Sequence, residues 1–451
     1  MSVFNGFFTL VKAALVKRDK VKLQELFDEI QPYDQAQILM ALEADERKEL
    51  FTYFTNRQLA EIIQEMNLEQ QKSILEELGL LRSAQVFAEM SADDAADLLG
   101  ELDESKQKEI LHLMDDTEAA DMRELLEYPE NSAGGLMTTE YIVVPKYYTA
   151  EETVAKLRKL APNAETVYYL YVVDEEEKLN GVLSLRDLII ANPDTRVQDI
   201  MYERVVSVPV HMDQEEVAKI MEKYDFLAIP VVDANQKLAG IITIDDAMDV
   251  IKVEATEDFT RMAAISSRGD SQDLKTDPLQ AASKRIPWLV GLLFMGLLSG
   301  NIIAAFEETL ETIIALAIFI PMIAGMAGNT GTQALAVVVR GLALGEIEKK
   351  DVPTLIKKEA GVGLIVGVVN GLVVALLAWI WQGLIIGVIV GITLWITLIV
   401  ATLAGAVVPL VLHRLKIDPA VASGPFITTV NDAISLTIYF SIATLFMAYL
   451  I

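Results

Sequence analysis

Apolar and polar positions alternate differently in successive parts of this chain. From about residue 20 to 130, apolar residues recur at i, i+3 and i+4 in short bursts, as in Ala60-Glu-Ile-Ile-Gln-Glu-Met66 and Ala92-Asp-Asp-Ala-Ala-Asp-Leu-Leu99. That spacing puts one buried face on a helix. Units such as Ser91–Leu102, Asp103–Met114 and Asp116–Leu126 follow one another every dozen residues. They predict a small α-superhelix whose units bury one another, with Asp93, Asp94 and Asp97 on its wet face.

A duplicated pattern comes next. Val143-Val-Pro145, Glu151-Glu152, Tyr171-Val-Val-Asp174 and Gly181-Val-Leu-Ser-Leu-Arg186-Asp187 form the first copy. Val206-Ser-Val-Pro209, Glu215-Glu216, Pro230-Val-Val-Asp233 and Gly240-Ile-Ile-Thr-Ile-Asp245-Asp246 form the second. Each copy reads as short strands joined by a turn, with a helix after the last strand. From Asp246 a longer amphipathic helix runs toward Ile265, and polar residues Ser266–Asp277 follow it.

The remainder is apolar over lipid-scale lengths. A spanning helix needs roughly 20 mostly apolar residues, and five stretches qualify. They are Ile286–Phe306 (with Pro287 in its first turn), Leu310–Val339, Ala360–Trp381, Leu384–Leu412 and Ile427–Ile451. Lys284, Arg285, Arg340, Lys349, Lys350, Lys357, Lys358, Arg414 and Lys416 all lie on one side of these spans. Glu307, Glu308 and Glu311 lie on the other. Positive charge marks the cytoplasmic side, so the N-terminal half is expected in the cytoplasm. Met1–Lys20 has no cleavage pattern to suggest otherwise.

Charge sharpens this division. Of 65 acids and 37 bases, nine of each lie from Lys284 onward, leaving 56 acids and 28 bases before it. The whole net charge of −28 therefore sits on the soluble part. Such a surface repels nucleic acid and attracts cations. With no cysteine and three scattered histidines, His112, His211 and His413, thiolate chemistry and cysteine zinc sites are excluded. No phosphate-binding G-x-x-x-x-G-K-[ST] loop is present, and no enzyme constellation stands out.

Asp432 is the most informative residue. It follows Thr428-Thr-Val-Asn431 inside the last apolar stretch, where a carboxylate needs water, a partner charge or an ion. No base lies within the other spans, which leaves a cation or a proton; a helix-end carboxylate satisfied by interfacial water is the simpler alternative. Gly325-Met-Ala-Gly-Asn-Thr-Gly-Thr-Gln333 permits close packing or local unwinding, and it places Asn329 and Gln333 on one helix face. Amides, carbonyls and a carboxylate form the oxygen-rich setting that a hard, strongly hydrated cation requires. Asp418, before the last span, suits the cytoplasmic mouth or a helix N-terminus. In the duplicated region, Ser184 with Asp187 and Thr243 with Asp246 could contact a ribose or simply cap the next helix. Asp249, Glu254, Glu257 and Asp258 on the connecting helix could be drawn together by divalent ions or remain a solvated face.

Together, the helical N-terminal region, paired repeats, acidic connecting helix and five-span region resemble the MgtE-type magnesium channel/transporter family. The most specific matches are Pro321-Met-Ile-Ala-Gly-Met-Ala-Gly-Asn-Thr-Gly-Thr-Gln333 and Asp418-Pro-Ala-Val-Ala-Ser-Gly-Pro-Phe-Ile-Thr-Thr-Val-Asn-Asp432. The resemblance implies a multidomain fold with an α-helical superhelix over residues 1–132 and tandem CBS α/β domains over 133–198 and 199–249. An acidic connecting helix and linker over 250–283 and an all-α five-helix transmembrane domain over 284–451 complete it. It implies a homodimer in the lipid of a bacterial cytoplasmic membrane, with Mg²⁺ bound in the pore by Asp432 near Asn329. Regulatory Mg²⁺ is expected at Asp418, Glu216, Asp249, Glu254, Glu257 and Asp258, with Asp93 or Asp94 contributing from the N-domain. Some members bind ATP between their CBS domains, which points loosely to Asp246 here. The expected activity is Mg²⁺ influx gated by cytosolic Mg²⁺. A cation-coupled divalent exporter and a non-conducting nucleotide sensor are the alternatives. Oxygen ligands alone do not separate Mg²⁺ from Mn²⁺, Co²⁺ or Ca²⁺.

Overall fold

Ten short helices, from Ser2–Lys17 to Asp116–Leu125, open the computed structural model, which describes residues 2–266 and 277–447. The expected polar connection over 267–276 and the end of the last span, 448–451, lie outside the described residues. The chain forms two compact units, Met1–Ile251 and Lys252–Ile451.

The helices of the first region are short because capping signals recur. Thr55 with Gln58 and Asn67 with Gln70 form reciprocal caps that close one helix start after another. Within Asn56–Gln64 the predicted apolar stripe, Leu59, Ala60, Ile62 and Ile63, is buried. Arg82 ties neighbouring units by donating to the carbonyls of Phe51 (2.7 Å) and Phe54 (3.0 Å).

The duplication folds as two three-stranded sheets. In the first, β1 (Val143–Pro145) runs parallel to β2 (Tyr169–Val173), which pairs antiparallel with β3 (Leu179–Ser184). In the second, β4 (Val208–Pro209), β5 (Ala228–Val232) and β6 (Leu238–Thr243) repeat that order. Asp174 and Asp233 build equivalent turns, each accepting two backbone N–H bonds at 2.8–3.0 Å. The glycine after each turn also has a packing reason. A Cβ on Gly181 would lie 2.7 Å from the Met201 sulfur, and one on Gly240 2.7 Å from that of Met137. Each sheet is thus crossed by the segment preceding the other copy, through Thr138 against Ile241 and Tyr202 against Val182. The second copy shares one continuous apolar core with the helical region, whereas the first has its own around Leu170, Val172 and Leu183.

In the second unit five helices are long and apolar enough to cross a membrane. They cover Pro278–Ala305, Ile314–Ala343, Val352–Gln382, Leu384–Arg414 and Gly424–Phe446. The first helix starts eight residues earlier than its apolar run, so Pro287 lies inside it rather than in its first turn. The second opens with a 3₁₀ stretch, Ile314–Phe319, and is then regular through the glycine-rich segment. No unwinding occurs there. Thr330 and Thr332 donate back to the carbonyls of Met326 and Gly328 within an intact helix, and the glycines serve close packing instead. A Cβ on Gly328 would lie 2.7 Å from Thr428. The third and fourth spans also meet backbone to backbone: a Cβ on Gly367 would lie 2.8 Å from the Trp395 carbonyl.

Candidate cation site and regulatory carboxylates

The fifth span begins at Gly424, capped by the Ser423 hydroxyl. Asp432 is eight residues further on, about 12 Å along a helix rising ~1.5 Å per residue. Asp432 is therefore two turns inside the helix rather than in its first turn. Asp432 is half-buried, and its Oδ1 is buried with no hydrogen-bond partner among the described residues. Asn431 beside it is buried, its Nδ2 donating to the Ala327 carbonyl at 3.4 Å. On the second span Asn329 and Gln333 share one face, as their spacing predicts, and both are exposed. Two amides on an apolar helix have no place against lipid; that face needs water or a second protein surface.

Asp418 occupies the turn before the fifth span. Its Oδ1 accepts from the Ala420 N–H at 2.8 Å, starting the 3₁₀ turn Pro419–Val421. Its other oxygen accepts from Arg261, whose second terminal nitrogen pairs with Glu257 at 2.5 Å. The neighbouring Met262 packs against the apolar cluster of Leu335, Val339, Ala420, Ala422 and Ile427. The end of the connecting helix, Ile244–Met262, is therefore clamped to the mouth of the last span by an ion pair and an apolar contact. Sequence reading missed Arg261; its place four residues after Glu257 in an otherwise acidic stretch was the available signal.

In the first unit, carboxylates from three chain regions approach one another. Asp93 is only 9 % exposed, so it is not on the wet face of its helix, and its Oδ1 has no partner among the described residues. Burial, then Asp246 and Asp94, hold its carboxyl well above the ordinary range. Asp246 accepts from the Thr243 hydroxyl at 2.6 Å, yet burial and the charges of Asp245, Asp94 and Glu165 raise it to about 7. Glu140 is likewise raised to about 7 by burial, Glu165 and Asp94. Asp97 lies on the exposed face, as its helix position predicts, and the close-packed surroundings with Asp94, Glu130 and Asp246 raise its carboxyl. The charges acting on these groups are themselves carboxylates. Asp94 is exposed, with its Oδ2 bound by Gln64 at 2.6 Å and Ser91 at 2.8 Å.

Glu216 is exposed in the first turn of the helix Gln214–Tyr224. Asp249 is exposed, and Glu254, Glu257 and Asp258 are partly buried along the connecting helix. Among the described residues, no three such side chains already converge on one point suited to a metal. The donors are oxygens throughout, which fits a hydrated hard cation rather than a soft metal. A different setting surrounds the first copy. An open cavity of about 680 Å³ is lined by Tyr168, Tyr169, Ser184, Arg186, Asp187 and Tyr202, among others. There Ser184 donates to Asp187 at 2.6 Å. Aromatic walls, a guanidinium and a carboxylate suit a nucleotide base, phosphate and ribose. The corresponding Asp246 of the second copy lies instead among other acids.

Residues 320–442 match the profile of the divalent cation transporter family MgtE. Residues 30–131 match the MgtE intracellular N domain, and 133–194 and 197–253 match the CBS domain. The magnesium transporter MgtE of Enterococcus faecalis (strain ATCC 700802 / V583) is 41 % identical over 98 % of both chains. That of Bacillus subtilis (strain 168) is 45 % identical over 72 % of this chain and 71 % of its own. The solved cytosolic domain of the Mg²⁺ channel MgtE in complex with ATP is 41 % identical, with a TM-score of 0.51. It is covered over 99 % of its length and spans 54 % of this chain.

Proposed function

The chain belongs to the MgtE family of magnesium transporters, and from that premise we propose that it is a homodimeric path for passive Mg²⁺ influx across a bacterial cytoplasmic membrane, closed when cytosolic Mg²⁺ loads its soluble carboxylates. One observation carries this reading: Asp432, about 12 Å into an apolar helix, holds a buried oxygen with no partner among the described residues. A carboxylate in that position is stabilised by a passing cation. The exposed amides of Asn329 and Gln333 support a polar face shared between two copies. Hydrated Mg²⁺ keeps most of its water and needs hydrogen-bond acceptors more than direct ligands. The membrane potential supplies about 4.6 kcal/mol for a divalent ion at ~100 mV, so no hydrolysis is required.

Closure rests on the soluble acids. When Mg²⁺ is scarce, Asp93, Asp94, Asp246, Glu140 and Glu165 repel one another or hold protons. Rising Mg²⁺ replaces the protons, bridges the carboxylates and favours a compact soluble unit. Glu216, Asp249, Glu254, Glu257 and Asp258 add negative charge along the route to the membrane unit. The connecting helix carries the change to Asp418, where Arg261 is the resident cation until a divalent ion competes for it. An adenine nucleotide is assigned to the first-copy cavity, where Arg186 offers charge to phosphate and Asp187 can accept from a ribose. Asp246, among carboxylates, repels a polyphosphate and is better suited to a cation. The test is Mg²⁺ flux into liposomes holding the purified full chain. Flux driven by the Mg²⁺ gradient and potential alone supports a channel. A strict need for a proton or Na⁺ gradient would favour the coupled exporter instead, and tight liposomes would favour the sensor.

A further inference from the structure

Asn431, the residue before Asp432, is 1 % exposed and its Oδ1 has no hydrogen-bond partner among the described residues. Its Nδ2 reaches the Ala327 carbonyl on the second span at 3.4 Å. A Cβ on Gly331, also on that span, would lie 1.9 Å from the same nitrogen. Behind this notch the fourth span closes in, because a Cβ on Gly405 would lie 2.2 Å from the Gly331 carbonyl. The amide is therefore seated where three spans meet and only a glycine leaves room for it. A leucine has the same branching and would avoid burying an unpaired acceptor among apolar helices, so the apolar surroundings alone do not account for an asparagine.

We propose that Asn431 is a positioning and specificity-determining residue for the cation site at Asp432. This rests on the reading of Asp432 as that site. Successive helix residues are separated by ~100° of rotation, so seating Asn431 in the Gly331 notch fixes the direction in which Asp432 points. Side chains reach about 6 Å from the helix axis. A 20° rotation of the fifth span therefore moves the carboxylate by roughly 2 Å. That exceeds the difference in oxygen distance between Mg²⁺ and Ca²⁺, ~0.3–0.5 Å. With the amide in place, the carboxylate is held at a spacing suited to one hydrated ion. Without it, the fifth span can rotate and the site becomes permissive.

The experiment compares full-length protein, Asn431→Leu, Asn431→Ser and Asp432→Ala in liposomes, after confirming folding by thermal unfolding and gel filtration. Mg²⁺ and Ca²⁺ flux are measured across a range of concentrations. The expected result is saturable flux in Asn431→Leu and Asn431→Ser, with the Mg²⁺/Ca²⁺ ratio reduced about tenfold or more, the effect typical of losing a partner that orients a metal-binding carboxylate. The half-saturating Mg²⁺ concentration rises in the same variants. An unchanged ratio and half-saturation in either folded variant overturns the positioning role, and so does a uniform fall in both fluxes at constant ratio. If Asp432→Ala abolishes saturable flux while the Asn431 variants keep native selectivity, only the role of Asn431 fails. If Asp432→Ala conducts normally, the underlying site reading fails as well.

Discussion

Replacing Asp246 by asparagine tests whether the acidic cluster of the first unit stores unfavourable charge that divalent ions relieve. The Asp246 carboxyl rises from 3.8 to about 7 in the folded chain, chiefly through burial and then through neighbouring acids. Each unit corresponds to ~1.4 kcal/mol, so the full shift corresponds to about 4 kcal/mol. Water reaches part of this side chain and screens it, and we take about 2 kcal/mol as the share to be observed. Because the folded value exceeds the unfolded one, the native state holds the proton more tightly. Its stabilisation is complete below pH 3.8 and is lost as pH rises through about 7. Thermal unfolding of the full chain in detergent, at constant ionic strength between pH 5 and 8.5, should show the soluble transition falling as pH rises. For a unit of this size about 2 kcal/mol corresponds to roughly 4–8 °C. Mg²⁺ added at pH 8 should recover most of that loss. Asp246→Asn keeps the shape and an oxygen for Thr243 but cannot ionise, so its pH profile should be flatter and its Mg²⁺ response smaller. A wild-type midpoint independent of pH, or an unchanged slope in Asp246→Asn, would show that the cluster stores no such charge.

Three further outcomes are expected. Arg261→Gln frees Asp418 and Glu257 from their shared cation; for a partly exposed pair worth ~1 kcal/mol, the Mg²⁺ concentration that half-closes the path should fall about fivefold, as read from flux against internal Mg²⁺. Arg186→Ala removes a charge-assisted bond worth roughly 2 kcal/mol and should weaken ATP binding by about thirtyfold in calorimetry, while Asp246→Asn leaves it intact; equal losses in both would contradict the assigned cavity. Gly331→Ala should lower the stability of the membrane unit by about 1–3 kcal/mol, because its methyl has no space.

The five spans and the tandem repeats were legible because each is written in local composition. Lipid length, glycine stripes and repeated Asp turns need no knowledge of distant partners. Contacts that join remote segments were not legible. Asp93 reads as a wet-face residue on its own helix, yet it is buried because the helical region shares its core with the second repeat. Asp418 reads as a carboxylate at the cytoplasmic mouth or at a helix N-terminus; it does start a 3₁₀ turn, and Arg261, 157 residues earlier, pairs with its other oxygen. Pro287 looked like a helix start because lipid-length scanning registers apolarity, whereas the helix begins in polar sequence at Pro278. The glycine-rich segment permits either unwinding or close packing. Threonine hydroxyls bonded back along the helix, and the tight approaches of Thr428 and Asn431, select packing.

The acid lodged in the last span is the point on which the transport account stands. The most direct test is Mg²⁺ uptake by liposomes carrying either the native chain or Asp432→Asn, which keeps the side chain's shape and loses its charge. Saturable uptake is expected of the native chain, and its loss, or a shift of half-saturation by more than about tenfold, in the variant. Equal uptake by the two folded proteins, with the same concentration dependence, would contradict it.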